Sequence, residues 1–274
     1  FSKIIDCFLA AFENYYVPMP TDPNYYRNRW VIAGVDFSCS YGMFVDDRLI
    51  GFIIHAIGER NGELIAFNTG TGVLPEYRGK RIVKAIYEYA LEDLKKKGVT
   101  KCALEVIREN EIAIKAYQRI GFTIDKRYKC YQGKLSVDLD FIEAKPDLQV
   151  SKATFLQKSS KAEINWDELP NQDSYSWDFQ RESLIRGDYD YYYVMHQGIR
   201  EAYFFVDRNS GNLVQFDLLI NSSGGWKRLF SAVQQVTDTV RIINVAERLT
   251  EKIAFLDQTG LTNMVNQYEM QLVI

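Results

Sequence analysis

Residues 69–83 read Thr69-Gly70-Thr71-Gly72-Val73-Leu74-Pro75-Glu76-Tyr77-Arg78-Gly79-Lys80-Arg81-Ile82-Val83. An apolar run from Leu64 to Phe67 precedes this stretch and predicts a strand. Pro75 ends the strand because proline cannot donate to a ladder. Apolar residues then recur at helical spacing: Ile82, Val83, Ile86, Tyr89, Ala90 and Leu94. The stretch therefore predicts a strand, a tight basic turn and an amphipathic helix.

The turn in this unit is suited to an anion. The first N–H groups of a helix have no partner within the helix, and they point outward with the positive end of the helix dipole. Arg78, Lys80 and Arg81 add positive charge at the same place. Phosphate binding is one interpretation of this pattern. An ordinary basic turn that water solvates is the other.

A strand and a second helix follow. Lys101 to Ile107 predicts a strand with Leu104 and Val106 on one face and Glu105 on the other. The chain then reads Asn110-Glu111-Ile112-Ala113-Ile114-Lys115-Ala116-Tyr117-Gln118-Arg119-Ile120-Gly121-Phe122. Asparagine suits the start of a helix, and glycine suits its left-handed end. These residues therefore predict a capped helix directly after the strand.

The two segments resemble the sequence motifs of the GNAT-type N-acetyltransferase family. Residues Val73 to Lys80 look like the family's coenzyme A signature, in which Gln/Arg-x-x-Gly-x-Gly/Ala follows a strand. Arg78 fits the first position, whereas Arg81 and Val83 stand where a glycine and a second small residue are usual. Residues Asn110 to Phe122 match the second motif, Asn-x-x-Ala-x-x-x-Tyr-x-x-x-Gly-Phe.

The resemblance covers roughly Gly42 to Leu135 and implies a fold and a cofactor site. The implied fold is the α+β GNAT fold, a mixed and mostly antiparallel sheet flanked by helices. In that family the amides of the turn hold the pyrophosphate of acetyl-CoA, the cosubstrate. The implied cofactor-binding residues are Val73, Arg78, Gly79, Lys80, Arg81, Ile82, Val83 and Asn110.

The resemblance also implies catalytic roles. Acetyl transfer needs a base for the amine, fixed donors for the oxyanion and an acid for the departing thiolate. Tyr117 matches the family's general acid, and N–H groups near Val73 face the acetyl carbonyl. Glu105 stands where the ribosomal-protein N-terminal acetyltransferases have a proton acceptor. The alternatives are a core aromatic at Tyr117 and a Glu105 without catalytic duty.

Composition excludes several classes of partner. The chain has 274 residues, of which 47% are hydrophobic and 25% charged, as in ordinary globular proteins. Its net charge of −3 and pI of about 5.6 argue against nucleic acid as the main partner. No apolar run approaches the roughly 20 residues that span a bilayer, and no signal peptide is visible. We therefore expect a cytoplasmic protein with no nucleic-acid or membrane partner.

The cysteines and histidines give no metal-binding pattern. The cysteines are scattered without a Cys-x-x-Cys pair, which predicts reduced thiols: Cys7, Cys39, Cys102 and Cys130. His55 and His196 are isolated, so neither a histidine metal centre nor a Ser-His-Asp triad is expected. We therefore predict no metal.

The residues before the motifs predict two helices and two hairpins. The helices are Phe1–Asn14 and Tyr25–Val35, and the hairpin turns are Asp46-Asp47-Arg48 and Asn61-Gly62. By analogy with the family, aromatic side chains of this region line an acceptor pocket: Tyr15, Tyr16, Tyr25, Tyr26 and Trp30. Ordinary packing of these aromatics onto a sheet is the other interpretation.

The second half of the chain repeats the order of the first. A helix is predicted first, at Asp173–Gly187. Three strands follow, at Tyr189–Met195, Ala202–Val206 and Leu213–Ile220. The remaining elements are a helix after Gly224, a strand at Val240–Val245, a helix at Leu249–Gln258 and a strand at Val265–Val273. We infer an internal duplication. The alternative is that two α+β halves share this order by chance.

The second copy is predicted to be degenerate. No Tyr-Arg-Gly-Lys precedes the helix after Gly224, and Leu256 stands at the position of Tyr117. The predicted domains are a GNAT acetyltransferase domain at residues 1–145 and a degenerate GNAT-like domain at residues 146–274.

Two functions are compatible with this sequence. The first is an acetyl-CoA-dependent N-acetyltransferase that moves an acetyl group to a primary amine by direct attack, with Glu105 as base and Tyr117 as acid. Its acceptor is the amine of a small molecule or a peptide. The second is a non-catalytic protein that binds or senses acetyl-CoA, which the departures at Arg81 and Val83 motivate.

Overall fold

The computed structural model of the chain describes residues 1–13, 15–135, 152–154 and 164–274. They form two compact units, Phe1–Asp125 with Tyr268–Ile274, and Lys126–Gln267. The predicted domain boundary at Lys145–Pro146 lies outside the described residues. No helix within the described ranges is long and apolar enough to cross a membrane.

The elements follow one another in the predicted order. The helices of the described chain are α1 (Ser2–Phe12), α2 (Pro23–Ala33), α3 (Ile82–Lys96), α4 (Glu111–Ile120), α5 (Arg181–Arg186), α6 (Gly225–Val236) and α7 (Thr250–Leu256). Its strands are β1 (Tyr41–Val45), β2 (Arg48–Arg60), β3 (Glu63–Val73), β4 (Lys101–Ile107), β5 (Thr123–Lys134), β6 (Lys152–Thr154), β7 (Asp190–His196), β8 (Ile199–Asp207), β9 (Asn212–Leu218), β10 (Thr239–Ala246), β11 (Thr262–Asn263) and β12 (Gln267–Val273).

Local turn chemistry sets the ends of these elements. Asp46 and Asp47 both have positive φ, so they form the tight hairpin turn between β1 and β2. Asp22 caps α2 by accepting the N–H of Asn24 at 2.9 Å. Glycines in the left-handed region follow α2 and α4, at Gly34 and Gly121. The turn at Asp46-Asp47 and the left-handed Gly121 match what the sequence predicts because they depend on neighbouring residues only.

The sheet of the first unit has the order β1-β2-β3-β4-β12. β1, β2 and β3 are antiparallel neighbours, and β3 and β4 are parallel. One apolar core joins this sheet to its helices, with Phe8 of α1, Trp30 of α2 and Tyr87 of α3 all buried.

The second unit repeats the pattern of the first. Its sheet has the order β5-β10-β9-β8-β7-β6, with β11 paired to β5. β7, β8 and β9 form the antiparallel meander, α6 leads into the parallel neighbour β10, and α7 follows. The succession of three strands, helix, strand and helix thus occurs in each half, which confirms the duplicated fold.

The closing strands are exchanged between the halves of the chain. In the first unit, β4 has β12 as its neighbour, although β12 ends the chain. In the second unit, β10 pairs with β5, which follows α4. Met270 of β12 is fully buried in the core of the first unit. The first unit is therefore completed by residues from the opposite end of the sequence.

One predicted helix is mostly absent. Within the predicted range Asp173–Gly187 the backbone forms short 3-10 turns, and only Arg181–Arg186 is α-helical. Tyr175 and Trp177 are both buried, and the Tyr175 hydroxyl donates to the Phe216 carbonyl at 2.9 Å. These distant contacts override the helical periodicity.

Candidate active site

In the first unit, β3 and β4 pair over only part of their length. The two strands pair in parallel from Ile65 with Lys101 to Asn68 with Leu104. β3 then continues to Val73 and β4 to Ile107. In the described residues no pairing joins these two ends. We call the space between them the first cleft.

The strand β3 is irregular where the first cleft begins. Gly70 pairs with Ile54 and Asn68 with His55, which leaves Thr69 as an extra residue. The Thr69 hydroxyl donates to the Ile54 carbonyl at 3.2 Å, and the Gly70 N–H donates to the Asn68 side chain at 3.0 Å. The bulge changes which residues of β3 point toward β2.

Beyond the bulge, the backbone N–H of Val73 points into the first cleft. The N–H of Leu74 donates to the Ile50 carbonyl of β2 at 2.9 Å. Because N–H groups alternate in direction along an antiparallel strand, the N–H of Val73 points away from β2. This orientation gives the cleft a fixed donor at the end of β3.

The turn before α3 presents a run of unpaired amides. The backbone N–H groups of Gly79 to Lys84 donate to no carbonyl among the described residues, and the first amide of this helix to do so is that of Ala85, bonded to Arg81 at 3.1 Å. Gly79 has φ of +78° and Arg81 has φ of +58°. Left-handed residues curl successive amides into a concave surface that suits an anion. We call residues 78–84 the first junction.

The basic side chains of the first junction have different partners. Arg78 donates to the Ala11 carbonyl at 2.8 Å and to the Val73 carbonyl at 3.3 Å. It therefore ties the end of α1 to the end of β3. The Lys80 ammonium lies 4.9 Å from the centre of the Tyr77 ring, and Arg81 is exposed. Of the three cations that the sequence predicts here, Lys80 and Arg81 are placed to meet an anion.

Tyr117 lies on α4 and is 9% exposed. Burial raises the pKa of its hydroxyl to about 12, and hydrogen bonds with Thr71 and Asn68 oppose this rise. Thr71 belongs to the length of β3 that is paired with β2 but not with β4, so the Tyr117 hydroxyl lies at the first cleft. The group is protonated at neutral pH and contacts polar side chains, although its ring packs near Tyr87 and Phe122.

A polar network that the sequence does not predict lies beside Tyr117. The Asn68 side-chain amide donates to the Thr71 hydroxyl at 2.6 Å and to the Tyr87 hydroxyl at 2.9 Å. Asn68 is 6% exposed, and burial raises the pKa of Tyr87 well above its ordinary value. The only signal in the sequence was a polar residue at the end of the apolar run 64–67.

Glu105 is half-buried on β4. It lies between Leu104 and Val106, whose side chains belong to the core of the first unit. Because side chains alternate along a strand, Glu105 lies on the opposite face of the sheet. The structure thus puts Glu105 on the strand that borders the first cleft, one residue after the last pairing with β3.

Asn110 caps α4 and contacts the loop that joins α1 to α2. Its side chain accepts the N–H of Ala113 at 3.1 Å. Burial raises the pKa of Tyr15, and a hydrogen bond with Asn110 opposes the rise. The Tyr16 hydroxyl donates to the Glu109 carbonyl at 3.2 Å. The loop after α1 therefore lies against the start of α4.

The remaining predicted aromatics divide between core and surface. Tyr26 and Trp30 are buried and pack against Phe8. Their ring centres lie 4.7 Å and 6.0 Å, respectively, from that of Phe8. These two side chains fill the core beneath α2. Tyr25 is 43% exposed and Tyr16 is 51% exposed.

Known proteins resemble this chain in sequence and in fold. Residues 4–122 match the model of the acetyltransferase (GNAT) family. A spermidine N(1)-acetyltransferase of Thermoplasma acidophilum is 36% identical over 84 residues, which are 31% of this chain and 50% of that protein. The chain spans about half the length of this curated relative.

Two solved structures share the fold of nearly the whole chain. A tandem GNAT protein from the clavulanic acid biosynthesis pathway has a TM-score of 0.66 at 14% identity, covering 99% of this chain and 94% of that one. A GCN5-related N-acetyltransferase from Anabaena variabilis has a TM-score of 0.63 at 13% identity, covering 99% of this chain and 70% of that one. At these identities the likeness concerns the fold alone.

Proposed function

We propose that this chain, whose residues 4–122 form a domain of the acetyltransferase (GNAT) family, transfers an acetyl group from acetyl-CoA to a primary amine. The observation that carries the proposal is the first junction. There, six successive backbone N–H groups lack backbone acceptors among the described residues. The junction follows a strand whose open edge faces the Tyr117 hydroxyl.

The first junction fits the pyrophosphate of coenzyme A. Its free amides and the N-terminus of the 15-residue α3 favour negative charge. The implied cofactor residues divide into those that offer backbone donors, Gly79, Arg81, Ile82 and Val83, and those that offer charge, Lys80 and Arg81. In this assignment Arg78 positions the first junction through its bonds to the Ala11 and Val73 carbonyls. Asn110 positions the start of α4.

Tyr117 acts as the general acid in this proposal. Acetyl-CoA supplies the acetyl group as a thioester, and the amine displaces its sulfur. Tyr117 gives its hydroxyl proton to that sulfur as the carbon–sulfur bond breaks. A phenol with a pKa of about 12 is a weak acid, but burial makes a thiolate more basic as well. Burial raises the pKa of the Cys102 thiol, in the same core, to about 12.

Glu105 takes the proton that the attacking amine loses as the carbon–nitrogen bond forms, directly or through a water. The N–H of Val73 stabilises the negative charge that develops on the carbonyl oxygen. One proton passes from the amine to Glu105 and one from Tyr117 to the sulfur, and proton exchange with water then restores both side chains. The support is that both groups border the first cleft, Glu105 on β4 and Val73 on β3.

The acceptor is proposed as an amine of a small molecule or a peptide. The name of the matched relative, a spermidine acetyltransferase, supports an amine substrate in general. We also propose a cytoplasmic location, which the four buried and unbridged thiols support.

Tyr117→Phe tests the mechanism. We expect this variant to bind acetyl-CoA with nearly unchanged affinity in calorimetry and to lower the rate of the acetyl-transfer step by about 10²-fold or more, as for other general acids. Tyr89→Phe is the matched control because Tyr89 is 71% exposed on α3. Transfer at the wild-type rate by Tyr117→Phe would show that the acid is assigned wrongly.

A panel of amines separates this enzyme from a sensor of acetyl-CoA. The sensor alternative is favoured by Arg81, an arginine held in a left-handed conformation where glycine is usual. An enzyme releases free thiol from acetyl-CoA when a suitable amine is added. Binding of acetyl-CoA with no thiol release for any small amine or peptide N-terminus would favour the sensor.

A further inference from the structure

The second unit contains a counterpart of the first cleft. β9 and β10 are parallel neighbours that pair only at Asn212 with Arg241 among the described residues. β9 then continues to Leu218 and β10 to Ala246. The separation leaves an opening at the same point of the repeat, which we call the second cleft. A small cavity there is lined by Tyr175, Phe216 and Lys252, together with residues 242–246 of β10.

Side chains of the second unit occupy the open edge of β9. The Phe216 carbonyl accepts hydrogen bonds from the Tyr175 hydroxyl at 2.9 Å and from the Lys252 ammonium at 2.8 Å. The Phe216 N–H donates to the Tyr175 hydroxyl at 3.3 Å. Both backbone groups of this residue that a ligand in the second cleft could use are thus already bonded.

Lys252 fills the second cleft with a buried charge. Its ammonium donates to the Asp217 carboxylate at 2.9 Å and lies 4.7 Å from the centre of the Phe216 ring. Lys252 is 3% exposed and Asp217 is 4% exposed. Burial lowers the pKa of Lys252, and the Asp217 carboxylate opposes this shift. Displacing Lys252 from this ion pair is unfavourable because the buried Asp217 carboxylate would be left without a partner.

The repeat explains why this residue blocks only the second cleft. Leu256 occupies the position of Tyr117, so Lys252 occupies that of Ala113, four residues earlier in each helix. Ala113 has only a methyl group at this place in α4. A lysine at the same place on α7 reaches the Phe216 carbonyl of β9.

The turn before α6 also carries an internal partner. Gly224 precedes α6 in the left-handed region, as Arg81 precedes α3. The Arg228 guanidinium donates to the Glu201 carboxylate at 2.6 and 2.8 Å and to the Ser223 carbonyl at 2.8 Å. Ser222 donates to the same carboxylate at 2.5 Å. Glu201, which is 3% exposed, is thus a built-in anion at the second junction, residues 222–228.

The carboxylate near the first junction has another partner. Glu76 forms an ion pair with Arg48 at 2.9 Å, and it acts on Lys80 only through its charge. The amides of Gly79 to Lys84 have no backbone acceptor among the described residues. The first junction is therefore open to an external anion. In the second junction, the Arg228 cation is already neutralised by Glu201.

We propose that each chain binds a single acetyl-CoA, in the first cleft, and that the second cleft is permanently closed by Glu201–Arg228 and by Lys252 with Tyr175. The proposal rests on the proposed function, because it takes acetyl-CoA as the ligand of the first cleft. Glu201 neutralises the Arg228 cation of the second junction, and Tyr175 and Lys252 occupy the Phe216 backbone groups that a ligand would use on the strand. The second copy of the fold then serves as a scaffold.

The test uses acetyl-CoA and the intact chain. Calorimetry measures the number of equivalents bound, and hydrogen exchange with mass spectrometry locates the protected amides. We expect one equivalent, with slower exchange over residues 79–84 and unchanged exchange over 222–228. Two equivalents, or protection of 222–228, would overturn the closed second cleft and leave the proposed function standing. If no acetyl-CoA binds at all, the proposed function and this inference both fail.

Two matched variants extend the test. Lys80→Ala removes a cation from the first junction and is expected to weaken acetyl-CoA binding several-fold. Arg228→Lys keeps the charge of the second junction but loses the forked contact with Glu201, and it is expected to change the affinity less than twofold and to keep one equivalent. Thermal unfolding confirms that both variants fold. An equal loss of affinity in the two variants would contradict the inference.

Discussion

At the residue scale, Arg81 shows how the first junction is made. This arginine has φ of +58° and ψ of +25° and precedes α3. The left-handed conformation costs roughly 1–2 kcal/mol for a residue with a Cβ atom. A glycine at the same place would adopt it without that cost. The chain therefore keeps a strained residue whose amide and side chain both face the junction.

Replacing this residue by glycine should stabilise the protein. We expect Arg81→Gly to raise the free energy of unfolding by up to about 1 kcal/mol, since relief of strain exceeds the entropy that glycine gains in the unfolded chain. Denaturant unfolding measures the change. Lys80→Gly is the control because Lys80 is not among the residues with positive φ, and it should not stabilise. Similar effects in both variants would mean that Arg81 is not strained.

His55 is a buried residue whose charge state affects stability. Its ring Nδ1 lies 2.8 Å from the Cys39 carbonyl, and its Nε2 has no hydrogen-bond partner among the described residues. Burial lowers its pKa to about 4, and the bond to Cys39 opposes this. The neutral ring, with its proton on Nδ1, is therefore the form that the folded protein holds.

This histidine makes folding sensitive to acid. Between its ordinary pKa of about 6.5 and about 4, the unfolded chain binds a proton that the folded chain does not. The stabilisation is complete above pH 6.5 and is lost as the pH falls toward 4, up to about 3 kcal/mol. Unfolding measured from pH 7 to 5 should show a smaller slope in His55→Asn than in the wild type. His196→Asn is the control, and a slope that stays unchanged in His55→Asn would contradict the prediction.

At the scale of elements, one residue at the start of α4 both caps the helix and holds the loop after α1. Asn110 satisfies the N–H of Ala113 and thereby fixes where the helix that carries Tyr117 begins. The same side chain bonds to Tyr15 of the loop after α1. The position of the proposed acid thus depends on a cap at the opposite end of its helix.

Substitution at Asn110 separates stability from cofactor binding. Asn110→Ala should lower the free energy of unfolding by about 1 kcal/mol because it removes the cap. Asn110→Ser keeps a capping oxygen and should stay within a few tenths of a kcal/mol of the wild type. Denaturant unfolding and acetyl-CoA titration are measured on both variants. If Asn110→Ser binds acetyl-CoA as tightly as the wild type, Asn110 acts only as the helix cap.

At the scale of the whole molecule, the exchange of closing strands joins the two ends of the sequence. The first unit contains the junction and the cleft, but its sheet is completed by β12. Met270 of that strand is fully buried in the same core as Tyr87 and Tyr117. A site near residue 80 therefore depends on residues near 270.

Shortening Met270 should destabilise the first unit. We expect Met270→Ala to lower the free energy of unfolding by about 2–5 kcal/mol, the range for large-to-small changes in a core. Hydrogen exchange over α3 and acetyl-CoA titration follow the effect on the distant junction. Val273→Ala is the control because Val273 is 72% exposed, and it should change stability by less than about 0.5 kcal/mol. Equal effects would show that β12 does not support the first unit.

The order of most helices and strands, including those that carry the candidate site, is predictable from the sequence. The junction was visible because a strand, a basic turn and an amphipathic helix are consecutive in the chain, and so was the helix that carries Tyr117. The network of Asn68, Thr71 and Tyr87 was not visible because its members come together only when β3 packs beneath α3. The bond from Arg78 to the Ala11 carbonyl at the end of α1 was likewise not visible, because the two residues are 67 positions apart in the chain.

The sequence alone determined the turns, the capped helices and the family motifs, since each depends on residues within a few positions of one another. It also indicated the duplication, because the order of these local patterns recurs in the second half. Only the tertiary structure decided that β12 completes the first unit and that Lys252 and Glu201 close the second cleft. The reason is that strand pairing and the burial of charge depend on which distant surfaces meet. Local periodicity carries no information about those partners.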